Sequence, residues 1–225
     1  MPEQQKLKFL SEYLPFWSQI TEDQKRLIEN SAVARSFGKG ELLLSGPDDC
    51  VGMLLVTSGQ LRVYIVSDGG KEITLYRLFE RDICILSASC MMKNINFDIY
   101  VQAEKDSGII LVPTSVYNRL NKTSLPVSDY TNELMSSRFS DVMWIMEQVL
   151  FTSFDKRLAH FLIEQSSVDA TDNLEITHDA IARHLGTARE VVTRMLKYFQ
   201  SEGMVSLSRG GITILDRTKL EKLIS

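Results

Sequence analysis

From about Ala32 to Pro113 the apolar residues come in short runs: "ARSFGKGELLLSG", "GMLLVTSGQLRVYIVSDGGKEITLYRLF" and "FDIYVQAEKDSGIILVP". In "QLRVYIV" alternate positions are apolar, and Ser67-Asp68-Gly69-Gly70 separates two such runs with hairpin chemistry. Short strands recurring at about ten-residue spacing predict a β-sandwich or barrel. The first thirty residues carry a helical pattern instead. There "ITEDQKRLIENS" offers Thr21 as an N-cap, with Glu22 and Asp23 in the first turn.

Past Pro113 the period changes. A short helix, "PTSVYNRLN", is followed after Pro126 by a long one in which Met135, Phe139, Val142, Met146 and Val149 alternate at spacings of four and three. Such a stripe serves either the helix's own domain or an identical helix. "VMWIM" is apolar all round and must be covered on more than one face, which favours a dimer seam. Next come the amphipathic "SFDKRLAHFLIEQS", a polar loop, two short helices around Gly186, and a strand pair "MVSLSRGGITIL" that turns at Arg209-Gly210-Gly211. The order helix, helix-turn-helix, hairpin predicts a winged helix-turn-helix. The expected fold class is α+β: a β domain with N-terminal helices over 1–126, a long helix over 127–151, and the winged helix-turn-helix over 152–225.

Charge sharpens this. The 225 residues carry a net charge of −4, which excludes a globally basic nucleic-acid binder. Between 187 and 200, however, Arg189, Arg194 and Lys197 face Glu190 alone. Local potential is what a phosphate backbone feels, because exposed charges beyond about 10 Å are screened. Cys50, Cys84 and Cys90 are too few and too scattered for a disulfide framework. No run nears the ~18–20 apolar residues of a membrane span, and no secretory leader is seen, so a cytoplasmic protein without membrane association is expected.

The chemistry concentrates in "HLGTAREVVTRMLKYF". In a helix-turn-helix the second helix enters the major groove by its N-terminal residues. Here "THDAIARHL", capped by Thr177, precedes Gly186, and a second helix begins near Thr187. Arg189, Glu190, Thr193 and Arg194 then fall in its first two turns as candidate base contacts. Arginine grips guanine O6 and N7 with two hydrogen bonds, and glutamate accepts from cytosine N4. Thr177, His178, Thr187, Lys197 and Arg209 are candidates to hold phosphates. The competing reading is a solvated Glu190–Arg194 pair on an ordinary helix.

The β-strand pattern "GQLRVY…DGGKEITL", the long helix, "FDKRLAHFL" and "ITHDAIARHLGTAREVVTRMLKYFQSEGMVS" together resemble the cAMP receptor protein/fumarate-nitrate regulator (Crp/Fnr) family of bacterial transcription factors. The resemblance covers nearly the whole chain. It implies a cyclic-nucleotide-binding-domain-like, cupin-like β-roll as sensor, a dimerisation helix, and base reading by Arg189, Glu190 and Arg194 at a TGTGA-like half-site. Thr193 stands where the fumarate-nitrate branch has serine. Expected partners are double-stranded DNA, a second copy of the chain and RNA polymerase.

The sensor departs from that pattern. Cyclic-nucleotide-binding members have a Gly-Glu pair and a later Arg-Ser/Thr; this chain has "RDICILSASCMM" and "NFDIYV", with Phe97-Asp98 at the second pair. The positions that would touch the purine are Val142 and Met143. An effector other than cAMP is therefore expected, in a pocket near Leu86, Phe97, Asp98, Tyr100, Val142 and Met143. No cysteine precedes Cys50 to hold an iron–sulfur cluster. His160, His178 and His184 all lie in the C-terminal part, which argues against haem, and no metal site is expected. Alternatives within the same fold are ligand-independent action or a thiol switch at Cys84 and Cys90. A carrier or enzyme on the β-roll lacks a placed acid, base, nucleophile or metal.

Overall fold

The computed structural model describes residues 2–45, 52–85 and 98–224. By packing the chain divides into two compact units, residues 1–66 with 75–142, and 67–74 with 143–225.

The first unit begins with helices α1 (Glu3–Tyr13) and α2 (Glu22–Ser31). Thr21 caps α2 reciprocally: its hydroxyl accepts from the Gln24 N–H at 3.3 Å, and the Gln24 carboxamide accepts from the Thr21 N–H at 3.0 Å. Among the described residues eight strands follow: β1 (Val33–Phe37), β2 (Leu42–Ser45), β3 (Gly52–Ser58), β4 (Gln60–Val66), β5 (Glu72–Phe79), β6 (Ile83–Cys84), β7 (Tyr100–Ala103) and β8 (Ser107–Pro113). They form two sheets, ordered β1-β8-β3-β6 and β2-β7-β4-β5. Leu44, Leu61, Val63, Leu75 and Val101 of one sheet pack with Leu54, Val56, Cys84 and Ile109 of the other. The opposite face of the first sheet, through Met53, Leu55, Ile110 and Val112, packs on Leu10, Phe16, Ile28, Tyr117 and Val127 of the helices. That is why "GMLLV" reads as an unbroken apolar run: β3 is buried on both faces.

In β4 the alternating pattern misleads. Its polar positions are buried too, Gln60 at 4% exposure and Arg62 at 3%. Gln60 donates from Nε2 to Glu104 Oε2 at 2.7 Å, and Arg77 Nε lies 3.2 Å from the same oxygen. The Arg62 guanidinium sits 4.2 Å over the Tyr64 ring, which stacks on Tyr100 at 5.4 Å. Polar side chains are buried here because charge pairing and ring faces satisfy them.

Helix α3 (Thr114–Thr123) leads to α4 (Leu125–Phe151). The long helix opens at Leu125, ahead of the expected 127, because Pro126 fits a first turn, where its missing N–H costs nothing. Of its residues only Val127 and Thr131 are buried, Thr131 bonding the Tyr117 hydroxyl at 2.7 Å.

The second unit takes the C-terminal end of α4 and adds α5 (Phe154–Asp169), β9 (Asn173–Leu174), α6 (His178–Leu185), α7 (Arg189–Ser201), β10 (Val205–Ser208), β11 (Gly211–Ile214) and α8 (Arg217–Ile224). Its sheet order is β10-β11-β9. The core gathers Leu158, Leu162, Ile181, Val192, Leu196, Phe199, Ile212 and Leu220. Two features go beyond the sequence pattern. One is α8, which places Leu220 in this core. The other is the segment 67–74, where Thr74 Oγ1 lies 2.8 Å from His184 Nδ1 and Ile73 bridges Leu185.

Candidate nucleic-acid interface

Helix α6 starts at a cap and stops at a glycine. The Thr177 hydroxyl accepts from the Ala180 N–H at 3.1 Å, so one of its lone pairs is spent locally. Gly186 adopts the left-handed conformation at φ 65°, and its N–H and that of Thr187 both reach back to the Ala182 carbonyl. The turn runs two residues longer than the sequence suggests: Ala188 is the N-cap and α7 opens at Arg189. Thr187 is consequently half-buried in the turn rather than on the helix.

Helix α7 is divided lengthwise. Val192, Leu196 and Phe199 are fully buried in the unit's core. On the other side Arg189, Glu190, Thr193, Arg194 and Lys197 line an open concavity of about 490 Å³. The structure therefore brings together all four expected base-reading residues and Lys197. Arg209 is exposed at the wing turn, beside Gly210 at φ 80°.

The ion pairing on this face is not that of the competing reading. Among the described residues Glu190 and Arg194 form no pair. Instead Arg189 Nη1 lies 3.5 Å from Asp179 Oδ2, at the start of α6. Beside it His178 Nδ1 lies 2.9 Å from Thr193 Oγ1. His178 is held below its ordinary titration range, first by burial and then by the Arg189 charge, against the pull of Asp179. The ring is half-buried, and its bond to Thr193 through Nδ1 links the first turn of α6 to α7. Asp179 gives no functional signal in the sequence, because an acidic residue in a first turn looks like ordinary helix-dipole compensation.

Residues 156–223 match the model of the Crp-like helix-turn-helix domain. A crystal structure from Eubacterium rectale, described as a transcriptional regulator of the Crp/Fnr family, superposes with a TM-score of 0.92 at 53% identity, covering 94% of this chain and 98% of that one. The chain belongs to the Crp/Fnr family. The transcriptional activator protein anr of Pseudomonas aeruginosa is 26% identical over 211 residues, 90% of this chain and 85% of the relative. CooA from Carboxydothermus hydrogenoformans, in a mutant form, shares the fold at a TM-score of 0.66 and 22% identity, over 94% of this chain and 95% of its own. The protein is a Crp/Fnr-family transcription regulator with a helix-turn-helix DNA-binding domain. Among the described residues no helix is long and apolar enough to cross a membrane.

Outside the recognition helix the Crp/Fnr frame sorts the remaining residues less neatly. On α4, Phe139, Met146 and Val149 are exposed, at 67%, 46% and 45%. Met135 and Val142 instead pack against the cores of their own unit. Met143 and Leu150 are exposed as well, so the uncovered stripe is Phe139, Met143, Met146 and Leu150, flanked by Val149. A periodicity of four and three fits two adjacent stripes, and only packing tells which one is free.

Leu86 and Phe97 lie outside the described residues, as do Cys50 and Cys90. Asp98 is exposed. Tyr100 stacks on Tyr64, while its neighbour Val101 points into the core between the sheets. Cys84 is 1% exposed in that core, its sulfur 3.9 Å from the Tyr76 hydroxyl, a poor position for a solvent-borne oxidant. Burial, and then Cys84, push the Tyr76 phenol well above its ordinary range.

Proposed function

We propose that the protein is a homodimeric, sequence-specific DNA-binding transcription regulator whose β unit senses an effector other than cAMP. One observation carries the DNA reading: Arg189, Glu190, Thr193 and Arg194 share the exposed face of α7, at the end of the helix that follows the Gly186 turn. Arg189 and Arg194 are suited to guanine edges, Glu190 to cytosine, and Lys197 and Arg209 to phosphates. The second copy would cover the Phe139, Met143, Met146 and Leu150 stripe. RNA polymerase is the further partner expected of such a regulator.

The effector reading rests on the sequence pair Phe97-Asp98, which stands where cyclic-nucleotide-binding members have Arg-Ser/Thr. Burying a cyclic phosphodiester without a paired positive charge costs several kcal/mol. Within the first unit, Arg138 lies 4.4 Å over the Tyr76 ring but is already engaged by Asp141 at 2.9 Å. Asp98 is exposed, and the case against cAMP rests on the arginine that this pair lacks. No haem, iron–sulfur cluster or other cofactor is invoked; ligand-independent action is the second reading.

The decisive experiment compares Arg189→Ala with the parent on an operator and on random duplexes. A loss of about 1–3 kcal/mol on the operator, with relaxed preference at one base pair per half-site, is expected. Equal losses on both duplexes would remove Arg189 from base reading. A micromolar cAMP isotherm that tightens operator binding would overturn the effector reading.

A further inference from the structure

Asp179 is the second residue of α6 and Arg189 the first of α7, and their side chains meet at 3.5 Å while both stay about 60% exposed, 60% for Asp179 and 62% for Arg189. Ion pairs this wet contribute little to folding, so the contact needs another reading. A guanidinium carries five N–H donors in a rigid plane, and guanine takes two of them. A carboxylate beside Nη1 leaves the Nε–Nη2 edge for a base. Nothing else pins the arginine, since among the described residues Asp179 is its one ion-pair partner.

From this geometry we infer that Asp179 is a positioning residue for base recognition. It holds the Arg189 guanidinium so that one edge faces guanine, and its negative charge disfavours duplexes that offer only phosphate. The inference rests on the base-reading role proposed for Arg189. Its chemistry has two parts. A pre-oriented arginine loses less rotamer freedom on reaching the base. A carboxylate at the lip of the groove repels phosphate in every register, and only a register that supplies guanine offsets that repulsion. Specificity is then a difference between two affinities, widened by a repulsive element. His178, one residue earlier, makes the neighbouring contact to Thr193 at 2.9 Å, so the first turn of α6 touches two reading residues of α7.

The test is a cycle of Asp179→Asn, Arg189→Ala and the double variant, measured on the operator, on operators with the guanine pair replaced, and on random duplex. Asp179→Asn is expected to weaken operator binding about 3- to 10-fold and to tighten random-duplex binding, so that preference for the guanine pair falls. In the Arg189→Ala background the operator effect of Asp179→Asn should vanish. A uniform tightening on every duplex, with base preference intact, would show Asp179 to be a repulsive charge only and would overturn the inference. Undiminished preference in the single Arg189→Ala variant would instead strike the reading role itself, so the two failures are distinguishable. Asp179→Asn keeps the size of the side chain at an exposed position, and an unchanged melting temperature separates recognition from folding.

Discussion

Single residues decide how the recognition helix is presented. Gly186 is the most legible of them, because a glycine between two apolar-periodic runs marks the point where one helix stops and the chain turns. Its left-handed backbone costs an ordinary residue roughly 1–2 kcal/mol, and a Cβ there would stand 3.2 Å from Ile73 Cδ1. Gly186→Ala should therefore lower the unfolding free energy by at least about 1 kcal/mol in a urea titration; an unchanged midpoint would mean that the turn relaxes freely. His178 is visible in the sequence only as a candidate phosphate ligand, because its bond to Thr193 joins two helices and has no local signature. Its folded state favours the neutral ring, since its titration is lowered from 6.5. An unfolded chain then binds more protons than the folded one as the pH falls through that region. The stability due to this group is complete above about pH 6.5 and declines below it. Between about pH 7 and pH 5.5 the melting temperature of the parent should fall further than that of His178→Gln. Parallel curves would assign the titration elsewhere.

At the scale of elements, the two informative helices are legible to different degrees. The polar face of α7 follows from sequence because its apolar residues Val192, Leu196 and Phe199 leave one side for chemistry. Replacing Phe199 by Ala in this fully buried setting should cost about 3–5 kcal/mol and weaken operator binding through lost folding rather than lost contacts. Calorimetry would show it as a lowered transition with base preference unchanged in the folded fraction. For α4 the spacing puts Met135, Phe139, Val142, Met146 and Val149 on one stripe, because spacing carries no direction; Met135 and Val142 pack within their own unit, whereas Met143 and Leu150 share the exposed face with Phe139 and Met146. Phe139→Asp or Met146→Asp would set two like charges against each other at the proposed two-fold axis. Monomers by light scattering and loss of operator binding are expected; a variant that remains dimeric would show that the stripe faces something other than a second copy. The buried polar side of β4 is not legible at all, since Gln60 is satisfied by Glu104 and the Tyr64 ring under Arg62 stacks on Tyr100, partners more than thirty residues away in sequence.

For the whole molecule, most of the architecture can be read in advance because hairpins, capped helices and an Arg-Gly-Gly wing are local signals. The effector site cannot, because it depends on which side chains meet across a sheet. Assembly gives the last prediction. Paired recognition helices should read half-sites about 34 Å apart, and each Arg209 lost from a phosphate should reduce the salt slope by about 0.9, hence about 2 for a dimer. Arg209→Ala with an unaltered slope would place the wing off the DNA. The uncovered stripe of α4 has a consequence for dosage. If that surface is closed by a second copy, as proposed, the DNA-competent form is a product of two concentrations. Below the dissociation constant of the pair, halving the supply of the protein quarters the form that can occupy an operator. In such a dimer expression level becomes a signal in its own right, and a modest drop in synthesis or rise in proteolysis would empty the weakest operators first.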